Sequence, residues 1–108
     1  MTPEVSALLS ALSCVSVSLE PVASQNTIGA WFASRGFNVQ PEVPVADRGD
    51  GRSGRVDLVA RRGGLTVAIE IDKTEPKAKS IVKLRQIPNA VRIVVIRGVG
   101  RTLGRQDS

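Results

Sequence analysis

A chain of 108 residues has room for one domain with a modest core, and an apolar share of 42% sets it among globular rather than disordered chains. It has no histidine, no tyrosine and one cysteine, which excludes imidazole-based nucleases and zinc sites, serine–histidine and cysteine–histidine catalysis, tyrosine nucleophiles and an internal disulfide. The net charge of +5 is uneven: residues 1–54 carry three basic and five acidic side chains, residues 55–108 twelve and five.

A basic half suits a polyanionic partner, because each lysine or arginine set on a phosphate releases counterions. The chemistry left to the chain belongs to carboxylates, lysines, arginines and hydroxyls. Cys14 reads as a small buried apolar residue rather than a nucleophile. Trp31, Phe32 and Phe37 are the only aromatic residues, so the core must be built from Val, Ile, Leu and Ala.

In chain order, Pro3 and Glu4 suit a helix N-terminus, and Val5, Leu8, Leu9 and Leu12 then recur on one apolar face of a short helix. Residues 5–19 are uncharged, yet they lack a basic leader and are too short and serine-rich to span a membrane. The expectation is a soluble, cytoplasmic protein with no membrane contact. A second helix is predicted from Ser18 as N-cap, with Glu20 and Pro21 in its first turn and Gly36 as its stop.

Residues 37–45 read as a strand that Pro41 and Pro44 confine to an edge or interrupt. Residues 46–54 form a polar, glycine-rich loop expected to be mobile. Two strands, 55–61 and 65–72, meet at Gly63-Gly64, a hairpin signal. Thr74, Glu75 and Pro76 open a helix expected to run to about Ile87, and residues 91–96 (VRIVVI) read as a buried central strand. A basic tail follows from residue 98.

The hairpin has a geometric consequence. With Gly63 and Gly64 as the turn, Arg62 pairs with Leu65, and the same register sets Asp57 opposite Glu70. Their Cβ atoms would then lie roughly 5 Å apart. Asp72, two residues on, faces the same side. Three carboxylates on one face repel unless a cation neutralises them. Oxygen-only ligation suits Mg2+ or Mn2+ better than zinc. The competing reading pairs Asp57 with Arg55 or Arg61, and Glu70 with Lys73, on an ordinary surface. The apolar setting of Glu70 in residues 67–71 (VAIEI) favours the metal.

The pattern G-F-x-V-x-x-E-V-P-V over residues 36–45, R-V-D-L-V at 55–59 and A-I-E-I-D-K at 68–73, followed by a lysine-rich helix, resembles the PD-(D/E)XK nuclease superfamily. That group includes restriction endonucleases, archaeal Holliday junction resolvases and small phage nucleases. The resemblance implies a single α/β domain over residues 1–108 with a restriction-endonuclease-like core at about 18–97. Its order is helix, three-stranded meander, helix and strand, after a short extra N-terminal helix. It implies a Mg2+-dependent endodeoxyribonuclease with Asp57, Glu70 and Lys73 as catalytic residues and Asp57, Glu70 and Asp72 on the metal. Glu20 and Glu42 are accessory acids, while Arg48, Arg52, Arg55 and Lys77 hold the nucleic-acid backbone.

The sequence departs from the family at one position. The lysine expected two residues after the second acid is Asp72, and strict alternation would point Lys73 to the opposite face unless a bulge or the strand end redirects it. A lysine from the next helix is the other source, where Lys79, Lys83 and Gln86 share a face. That face could equally be solvated or contact phosphate. The alternative function is a non-cleaving nucleic-acid binder on the same fold, and a third is a scaffold for a protein partner. Double-strand cutting would need two sites, which points to a homodimer.

Overall fold

The computed structural model describes residues 2–15 and 20–98. Helix α1 (Pro3–Leu12) begins where the Thr2 hydroxyl accepts the Val5 amide, and it buries the four apolar residues of its periodic face. Helix α2 (Pro21–Ser34) has Glu20 as its N-cap rather than in its first turn, whereas Ser18 lies outside the described residues. Gly36 follows the helix with φ +83, a left-handed conformation that glycine accepts without strain.

Strands β1 (Asn38–Val45), β2 (Gly54–Arg62) and β3 (Leu65–Asp72) form the expected meander. Helix α3 (Ala78–Arg85) then leads to β4 (Val91–Ile96), and the sheet order is β1-β2-β3-β4. The first two pairings are antiparallel and the third is parallel, which requires the crossover that α3 provides. Among the described residues the result is an α/β fold with one four-stranded mixed sheet and three helices. Among the described residues no helix is long and apolar enough to cross a membrane.

Alternation divides the sheet's side chains between two cores. Leu58, Ala60, Val67, Ile69, Ile93 and Val95 pack under α1 and α2, with Ile28 and Phe32 from α2 fully buried there. Val59, Ala68 and Val94 face the opposite side, where Leu84 of α3 and Ile87 just after it cover them.

Three expectations need correction. β4 is the outer strand beside β3, not a central one; its apolar run reflects cover on both faces, which is what the pattern reports. α3 starts at Ala78 and ends at Arg85, because Pro76 keeps the residue before it out of helical conformation and the Arg92 guanidinium takes the Leu84 and Ile87 carbonyls at the far end. Cys14 is exposed, since it falls in the turn after α1 rather than on the helix's apolar face. The loop before β2 is hydrogen-bonded on itself and to the end of α3: the Asp47 carboxylate accepts the Gly49 and Gly51 amides, and Gln86 binds the Asp47 backbone. Of the basic tail, residues 99–108 lie outside the described residues.

Candidate active site

The β2–β3 register runs from Arg62↔Leu65 to Leu58↔Ile69, as the glycine turn implies. One step further, at Asp57 and Glu70, side chains replace the ladder. The Asp57 amide donates to Glu70 Oε2 at 2.8 Å, and the Ile71 amide donates to Asp57 Oδ2 at 2.7 Å. Each carboxylate takes an amide of the opposite strand, so the two acids are held beside each other at the mouth of the hairpin.

The β1–β2 ladder is interrupted at the same level. Pairs exist on both sides, Pro41↔Leu58 and Val43↔Val56, and Glu42 between them has φ +54. Val39 and Leu58 serve the α2 side of the sheet, but Val43 and Val56 serve the α3 side, so both strands change face here. Gln25 of α2 bridges the gap, its Nε2 donating to Glu42 Oε2 at 3.1 Å and to the Asp57 carbonyl at 3.0 Å. Sequence reasoning missed Gln25. The available signal was its place three and seven residues before Ile28 and Phe32, on the buried side of α2.

Glu70 is only 3% exposed along its side chain, and its Oε1 lies 2.7 Å from Lys83 Nζ. Burial, then the Asp57 charge, pushes the Glu70 carboxyl up to about 7, against the opposing pull of Lys83. Burial also raises Asp57, with the Ile71 amide opposing. The α3 face that carried Lys79, Lys83 and Gln86 thus delivers one lysine to the acid pair. Gln86 instead pins the loop, its Oε1 accepting the Asp47 amide at 3.0 Å.

The other expected positions are placed differently. Asp72 is buried and turned to α3: Oδ1 accepts the Ser80 hydroxyl at 2.9 Å and Oδ2 the Lys77 amide at 2.9 Å. These contacts cap the helix, and the Asp72 charge also adds to the upward shift of Asp57. Lys73 lies exposed just past the end of β3. Glu20 accepts the Val22 and Ala23 amides and caps α2. Glu42 does come to the acid pair, where its charge adds to the upward shift of Asp57.

Beside Lys83 opens a cleft of about 420 Å³ lined by Arg48, Ser53, Gly54, Arg55 and Lys79. Arg48 there is bound to Asp50 at 3.0 Å, while Arg52 and Lys77 are exposed but do not line the cleft. Four of the lining side chains are basic, and none is acidic.

Among the described residues no group of three or more acidic or thiol side chains is arranged to hold a metal. Mg2+ does not need one, since it keeps several waters and is commonly held by one or two carboxylates plus substrate phosphate. The donor set fits that requirement. Among the described residues Asp57 has only Oδ2 engaged, which leaves Oδ1 on a half-buried carboxylate, and the Lys83 ammonium on Glu70 is a cation that another could replace. Comparison with protein-family models, curated proteins and solved structures finds no match.

Proposed function

We propose that this chain is a metal-dependent nuclease that hydrolyses phosphodiester bonds in DNA, on a restriction-endonuclease-like core of the PD-(D/E)XK type. The observation that carries the reading is the pair Asp57 and Glu70, gripped side by side with Lys83 on Glu70 and a basic cleft adjoining. Asp57 Oδ1 and the Glu70 carboxylate would hold Mg2+ or Mn2+. A cation there supplies an acidified water and charge stabilisation at the phosphate. Lys83, in place of Lys73, neutralises charge that develops on the phosphate oxygens. Arg48, Arg55 and Lys79 hold the backbone, which positions the strand without reading its sequence.

A DNA substrate accords with the cytoplasmic location expected from the sequence, and cutting both strands would call for a homodimer. The test is cleavage of plasmid, linear, single-stranded and branched DNA by wild type and Glu70→Ala, with Mg2+, Mn2+ or EDTA. Metal-dependent cutting that Glu70→Ala abolishes is the expected result. DNA binding that persists in EDTA, with no substrate cut, would overturn the nuclease and leave the non-cleaving binder.

A further inference from the structure

Lys83 belongs to two sites at once. Its Nζ neutralises Glu70 at 2.7 Å, and the same side chain lines the basic cleft with Arg48, Arg55 and Lys79. The two partners differ in freedom: Lys83 is 18% exposed and Glu70 3%, so the ammonium can swing out and the carboxylate cannot follow. Gly54 forms the wall beside the lysine stem, where a Cβ would lie 3.2 Å from Lys83 Cδ. A side chain there would crowd the lysine stem.

One ammonium cannot serve both partners fully. A divalent cation between Asp57 and Glu70 takes over the neutralisation of Glu70 and repels Nζ. Lys83 also lines the cleft, where Lys79, Arg48 and Arg55, the last two paired with Asp50 and Glu42, favour an anionic ligand. Resting on the acid-pair reading above, we propose that Lys83 couples the two sites: a divalent cation at Asp57 and Glu70 releases it into the cleft, where it binds a phosphate of a polyanion. Each ligand then raises the affinity for the other by the same factor, because linkage is reciprocal.

The experiment is calorimetric titration of the full chain with Mg2+ at pH 8, alone and with a saturating sulfated hexasaccharide. That probe carries fixed anionic charge and has no phosphodiester bond to cut. Wild type should bind Mg2+ about tenfold more tightly with the probe present, in the usual range of coupling between sites. Lys83→Gln should bind Mg2+ about tenfold more tightly than wild type without the probe, and gain little from it. Lys79→Gln, which lines the cleft without touching Glu70, should bind the probe more weakly yet keep the coupling. Wild type that binds Mg2+ with no gain from the probe overturns the coupling alone, as does a Lys83→Gln variant that behaves as wild type. Wild type that takes up no Mg2+ overturns the acid-pair reading, and the coupling with it.

Discussion

Glu70 accepts the Asp57 amide through Oε2 at 2.8 Å, while Asp57 takes the Ile71 amide next to Glu70 at 2.7 Å. The two acids therefore hold each other's strand in place of the sheet ladder. Their proximity is built into the backbone rather than left to side-chain rotamers. Burial first, and the Asp57 charge second, make the ionised Glu70 carboxylate costly, which its raised value registers.

That cost sets a pH dependence. The folded protein holds the Glu70 proton up to about pH 7, against an ordinary value of 4.5, so it binds more protons than the unfolded chain between those values. Stability from this group is therefore greatest below pH 4.5 and falls as pH rises towards 7, by about 3 kcal/mol. Urea unfolding of wild type and Glu70→Gln at pH 5 and pH 8 should show the difference between them shrink or reverse at the higher pH. Saturating Mg2+ should restore part of the wild-type loss.

Asp72 should prove a helix cap. Asp72→Ala removes the acceptor of the Ser80 hydroxyl and the Lys77 amide, both at 2.9 Å, and should cost about 2 kcal/mol of stability. Magnesium affinity, measured calorimetrically on the same variant at a temperature where it is folded, should change less than threefold. A metal ligand would give the opposite pattern.

Gln86 should govern the cleft through the loop. It accepts the Asp47 amide at 3.0 Å and donates to the Asp47 and Val82 carbonyls, which joins α3 to the loop carrying Arg48. Gln86→Ala should speed hydrogen exchange at the Asp47 amide at least tenfold, for a loss of about 1.4 kcal/mol of local stability. Polyanion affinity should fall with it.

Gly54 tests the cleft wall. A Cβ there meets Arg48 Cβ at 2.7 Å and Lys83 Cδ at 3.2 Å, so Gly54→Ala must shift the loop, the lysine or both. The expected cost is about 1–3 kcal/mol of stability, and cleavage should fall more steeply than that of a variant equally destabilised elsewhere. Activity assays at a temperature where both variants remain folded would separate the two effects.

Much of the architecture was legible because it depends on neighbours in sequence. Val5, Leu8, Leu9 and Leu12 mark one helix face by spacing alone, and Gly63-Gly64 fixes a register in which Asp57 and Glu70 meet. Pro41 and Pro44 place β1 at an edge because proline cannot donate to a second neighbour. What the letters left open depended on direction in space. Alternation cannot say that Asp72 turns into the N-terminus of α3, that Glu20 closes onto α2, or that Arg92 reaches back to the end of α3. Each of these polar groups goes to whichever unpaired backbone group the packed helix brings within reach.

Hydrophobic periodicity and turn chemistry determined that this chain forms a helix-flanked sheet with two acids opposed at the mouth of its hairpin. Which lysine serves those acids was decided only when α3 packed across β2 and β3. Lys73 is three residues from Glu70 in sequence but past the strand end, whereas Lys83 is thirteen residues away and 2.7 Å distant. Local pattern sets the face of a strand or helix; the choice among charged partners belongs to the packing that brings separate elements together.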